Sequence, residues 1–228
     1  MQKLFKIILL LSCFNVFSQE EPNFSAIDSL YREDQFYFGI TYNVLNIKPK
    51  GVSQNSFSTG LNIGFLRDFP VNKKRTFAIA PGLGFSYSNY KENLVVGNLD
   101  KTINYSLIVS DVNYDKNKLA LYFVDVPVEF RWRTSTFDSH KFWRIYTGFK
   151  FSYLLLSQSR YVDANQNFKI NNNPDISKIH YGAYLSAGNN SWNLYAYYGL
   201  NNMFKKGNLN GNPIQLSTLN VGLMFYIL

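Results

Sequence analysis

The side chains able to do chemistry in this chain concentrate between residues 125 and 150. Asp125, Glu129, Arg131 and Arg133 share one parity, and Arg144 and Lys150 share a parity on the next apolar-alternating stretch. Successive residues of a strand point to opposite faces, so each set projects to one side of its strand. Acids and bases gathered this way suit a binding site or ion path, or else a packed ion-pair network that closes the space between them. In a narrow barrel the packed network is the stronger reading.

Hydrolytic chemistry finds little support. The chain has two histidines, His140 and His180. Ser177 and Asp175 lie near His180, but neighbouring strand residues face opposite ways, so this spacing builds no Ser/His/acid relay. No His/Cys/carboxylate spacing matches a metal site, and Gly60, Gly64, Gly82 and Gly84 read as strand glycines that make room rather than as a phosphate loop. No catalytic residue, metal, cofactor or small-molecule substrate is expected. A net charge of +8 with a pI near 9.4 raises the question of nucleic acid. The basic residues are scattered, however, with one short cluster at Lys73-Lys74-Arg75, and no recognition motif accompanies them. A nucleic-acid partner is therefore not expected.

The elements that must position these groups are set by Leu119 to Arg133, LALYFVDVPVEFRWR. One parity reads Ala120, Tyr122, Val124, Val126, Val128, Phe130, Trp132. The other reads Leu119, Leu121, Phe123, Asp125, Pro127, Glu129, Arg131, Arg133. This is a strand with an apolar face and a charged face. The apolar row ends in Trp and recurs in seven further stretches, so the apolar face is read as lipid-facing and the charged face as a barrel lining.

Eight strands are expected: 35–45, 57–68, 76–89, 119–133, 142–157, 176–188, 192–200 and 214–228. Connections alternate between long (46–56, 90–118, 158–175, 201–213) and short (69–75, 134–141, 189–191). Long loops outside and short turns in the periplasm are the outer-membrane pattern, which places both barrel termini in the periplasm. The fold expected is all-β, an eight-stranded antiparallel up-and-down transmembrane β-barrel with long extracellular loops and short periplasmic turns. Trp132, Trp143 and Trp192 fall near short turns, where an aromatic girdle belongs. Pro81, on an outward row, is expected to force a bulge.

The N terminus, MQKLFKIILLLSCFNVFSQE, carries Lys3 and Lys6, an apolar run and a polar exit, and reads as a signal peptide over 1–19. Cys13, the single cysteine, lies within it. Residues 20–34 read as a periplasmic lead-in and 35–228 as the barrel. No later stretch reaches the roughly 20 apolar residues of a spanning helix. Aromatic residues at 18% of the chain suit an exported membrane barrel.

Val124–Thr136 (VDVPVEFRWRTST) and Lys141–Leu155 (KFWRIYTGFKFSYLL) resemble the PorT family of Bacteroidota outer-membrane barrels, and the signal ending Phe17-Ser18-Gln19 has the look of that phylum. The resemblance also extends, through barrel layout, to Ile27–Asn43 and Arg75–Tyr87. It implies an accessory role in type IX protein secretion and, in gliding species, motility. It brings no catalytic residues. Such a role needs a periplasmic partner surface, for which Lys73, Lys74, Arg75, His140 and Lys141, with the lead-in, are the candidates. The partners implied are outer-membrane lipid and other secretion-machinery proteins. The competing reading is a generic surface barrel that uses its outer loops for adhesion or ligand binding.

Overall fold

The computed structural model describes residues 33–54, 56–99, 102–108, 112–134 and 143–227. The expected signal segment, the lead-in before Glu33, and His140 and Lys141 lie outside them. The described residues form a closed antiparallel barrel of eight strands. These are β1 (Gln35–Ile47), β2 (Thr59–Leu66), β3 (Phe77–Tyr90), β4 (Tyr114–Arg133), β5 (Trp143–Asp163), β6 (Ile179–Asn189), β7 (Trp192–Gly199) and β8 (Ser217–Ile227). Each strand pairs with its neighbours in sequence. The ring closes where β1 meets β8, with Phe36 opposite Ile227 and Ile40 opposite Leu223.

Alternation sets the two faces. Along β1 and the lower half of β5 the side chains are exposed and buried by turns, so one parity meets lipid and the other fills the lumen. Phe38, Ile63, Phe85, Phe149 and Leu194 belong to the outer belt. Inside, the cross-strand pair Gly64 and Gly84 lies under the Tyr37 ring, and a Cβ on either would collide with it. The glycines give a large aromatic side chain room in a narrow lumen.

Pro81 does not produce the expected bulge. The register is the same on both sides of it, Pro81 opposite Val128 and Gly84 opposite Asp125. Proline lacks only the N–H, and its carbonyl still accepts the Arg67 N–H at 2.9 Å, so the strand keeps its phase. The irregularity in this part of the wall falls between Tyr122 and Phe123, against Leu156 and Leu154.

Two short connections, 67–76 and 190–191, lie at the end where Arg133 and Trp143 also stand. The segment 67–76 is not a bare turn, because Phe69–Pro70 pairs with Ala78 and Ile79. Asn190-Ser191 closes β6 onto β7 with Asn190 at φ 56°, a left-handed geometry that asparagine tolerates. At the other end β4 and β5 run past the outer belt. Leu94–Leu99 pairs with Thr102–Leu107 as a hairpin, and Asn167–Asn171 pairs back on β5. These loops carry an apolar cap. Leu119, Leu121 and Phe123, on the same parity as the luminal charges, pack with Leu154, Ile176, Met203 and Leu216. Ala120 has outward parity yet is buried, between its cross-strand partners Asn89 and Gln158.

Candidate functional site

The lumen near the short-turn end holds a balanced set of charges. Arg131 Nε donates to Glu129 Oε2 at 2.9 Å, and its Nη1 donates to Asp68 Oδ1 and to the Glu33 carbonyl, both at 3.0 Å. Arg133 grips the same Asp68 with two nitrogens, at 2.9 and 2.8 Å, and its Nε donates to the Arg75 carbonyl at 3.2 Å. Glu33 Oε2 lies 3.7 Å from Arg133 Nη1 and accepts from Gln35 Nε2 at 3.2 Å. Tyr226 donates to Glu129 at 2.9 Å. Arg144 lies over the rings of Tyr146 and Tyr226, and Arg131 over Tyr146 at 4.8 Å. The guanidinium groups of Arg131 and Arg133 thus meet three carboxylates, with Arg144 against the tyrosine rings beside them, and all six charged groups are buried. Removing a charge from water is costly, and only such pairing and hydrogen bonding offsets it.

Higher up, Lys150 Nζ lies 3.5 Å from Asp125 Oδ2, donates to Asn62 Oδ1 at 3.1 Å and sits 4.7 Å from the centre of the Tyr197 ring. Between the two layers stand Tyr37, Tyr184, Tyr195 and Met224. Two cavities inside measure about 30 and 10 Å³. Roughly 10–15 Å³ of such volume holds one water, so each has room for no more than about one or two waters.

The sequence placed Asp125, Glu129, Arg131, Arg133, Arg144 and Lys150 on the luminal face, and the structure buries all of them there. They do not form one cluster: Asp125 and Lys150 pair separately from the arginine layer. Sequence reasoning missed two members, Glu33 and Asp68. The signal was present. Asp68 continues the inward parity of Asn62, Gly64 and Leu66, and Glu33 continues that of Gln35 and Tyr37. Glu33 stands just before the first expected strand, and Asp68 is the last residue of the expected strand 57–68, two residues past the observed end of β2 at Leu66.

The basic trio at 73–75 is divided. Lys73 and Lys74 are exposed, whereas Arg75 is half-buried with φ 54° and offers its carbonyl to Arg133. Trp132, Trp143 and Trp192 are exposed on the outer surface at the short-turn end. At the opposite edge of the belt lies a second set of outward aromatic rings, Tyr42, Tyr87, Tyr122, Tyr153, Tyr181 and Tyr198. From Trp132 to Tyr122 the chain runs ten residues. At about 3.3 Å per residue and a typical tilt near 40°, that is about 25 Å along the barrel axis, the height of an outer-membrane apolar band.

His180 packs edge-on to Phe123, and its Nε2 lies 2.8 Å from the Ser177 carbonyl. The Ser177 hydroxyl donates instead to the Asn202 carbonyl, and Asp175 accepts from Tyr105 at 2.7 Å. The three are engaged separately. Among the described residues no group of three or more His, Cys, Asp or Glu side chains is placed to hold a metal. In the loop region Glu92 is buried with no ion pair among the described residues, and desolvation pushes its carboxyl up to about 8.

The profile of the family described as "Outer membrane protein beta-barrel domain" matches residues 17–205. The chain belongs to that family. Among solved structures, Ail, the attachment invasion locus protein of Yersinia pestis, is 13% identical with a TM-score of 0.38, over 87% of this chain and 100% of that one. No curated protein matches the chain.

Proposed function

Taking the chain as an outer-membrane β-barrel, we propose that it is a non-catalytic, non-conducting accessory of protein secretion, of the type IX system and, in gliding species, of motility. The observation that carries the non-conducting part is the filled lumen. Buried ion pairs, tyrosine rings and an apolar cap stand in series, and two cavities among them are water-sized. Activity then resides at the two ends. The resemblance of Val124–Leu155 to PorT directs it to secretion, and the alternation of loop lengths supports long loops outside and termini in the periplasm. Lys73 and Lys74, on an exposed turn at the termini-bearing end, are the described residues that a periplasmic partner would meet first.

A clean deletion tests this. Loss of secreted cargo from the medium, with precursors held in the periplasm, is the expected result; an unchanged secretome overturns it. A second reading, adhesion or ligand binding through the loops, is favoured by the organised cap on which the Leu94–Leu107 hairpin sits. Under that reading loop exchange abolishes attachment while secretion persists.

A further inference from the structure

Register aligns cations that are scattered in sequence. Lys118 on β4 is directly opposite Arg160 on β5, and Arg160 is directly opposite Lys169 on the strand Asn167–Asn171. On the other side the β3–β4 register pairs Tyr90 with Leu119, and Lys91 is the next residue outward. Four cations therefore span four neighbouring segments in one row, and Lys116 stands two residues beyond Lys118. Residues directly opposite share a face, and like charges placed so are unfavourable. That face is the outer one, because Leu119, Ser159 and Ile170, which alternate with the cations, are buried.

The positive charges of Lys116, Arg160, Lys91 and Lys169 all act on the half-buried Lys118. None of the five forms an ion pair among the described residues. Beside them opens a surface recess of about 240 Å³, lined by Lys91, Lys116 and Lys118, with Asp115 its one carboxylate. Lys118 lies four residues beyond Tyr122 of the outer tyrosine set. That places it about 10 Å past the apolar belt, at the depth of lipid head groups.

We propose that the row Lys91, Lys118, Arg160 and Lys169, with Lys116, is a binding site for the phosphates of a membrane lipid lying against the barrel wall. With the long loops outward, an orientation that rests on the function proposed above, that lipid is the phosphorylated glycolipid of the outer leaflet. An anion held there relieves the mutual repulsion of the row, which no carboxylate among the described residues does by ion pairing.

The test uses the full barrel in zwitterionic detergent, with its unfolding temperature followed by heat-modifiability on gels. Diphosphoryl lipid A is expected to raise that temperature in the wild type, and fully dephosphorylated lipid A is not. K118Q/R160Q is expected to fold at least as well without lipid, because the charges removed repel one another. It should bind diphosphoryl lipid A about thirty-fold more weakly, about fivefold for each cation lost. Equal binding by wild type and variant overturns the site. An equal rise with inorganic phosphate alone overturns the lipid assignment. An equal rise with phosphatidylglycerol keeps the phosphate site and overturns its assignment to the glycolipid.

Discussion

Asp68 accepts both terminal nitrogens of Arg133, at 2.9 and 2.8 Å, while its Oδ1 also accepts from Arg131 at 3.0 Å. One carboxylate therefore compensates two buried cations. Asp68→Ala should cost the barrel about 3–5 kcal/mol, since it strands charge in a dry lumen. Glu129→Ala should cost less, because Arg131 keeps Asp68 and the Glu33 carbonyl. Urea unfolding in detergent checks the order; equal losses would count against Asp68 as the hub.

Glu92 should make the loop cap lose stability as pH rises from about 4.5 to about 8. Its carboxyl is raised from 4.5 to about 8 by burial, so the folded cap holds a proton that the open loop has released. Between those values each rise in pH favours opening, and stability falls until about pH 8. Protection factors of the Leu94–Leu107 hairpin amides, with the intrinsic rise of exchange with pH divided out, should fall over that window. In Glu92→Gln the fall in protection should disappear.

Gly84→Ala tests the aromatic filling. The new methyl would meet the Tyr37 ring, at a cost of about 1–3 kcal/mol. Tyr37→Leu in the same chain should recover part of that loss. A double-mutant cycle showing strict additivity would refute the contact.

Lys73→Glu with Lys74→Glu separates interface from stability. Both side chains are exposed and neither forms an ion pair among the described residues. Unfolding should shift by no more than about 0.5 kcal/mol. Cargo export should nevertheless fall if the proposed secretion partner docks on this turn, and normal export would remove the turn from consideration.

Alternation alone carried much of this barrel. A strand's period of two is a local property, so the inward placement of Asp125, Glu129, Arg131, Arg133, Arg144 and Lys150 and the outward placement of Trp132, Trp143 and Trp192 could be read residue by residue. Loop lengths announced the up-and-down order. Which groups meet inside was a matter of closure, because Arg131 reaches Glu33 across 98 positions and Asp68 across 63. Parity says which face a side chain takes and nothing of its height in the lumen. Leu119, Leu121 and Phe123 therefore became an apolar cap while Asp125, on the same parity, became half of an ion pair. The basic row is likewise a product of register. Lys91, Lys118, Arg160 and Lys169 are remote in sequence, and only the hydrogen-bonded ladders bring them to one level of the wall.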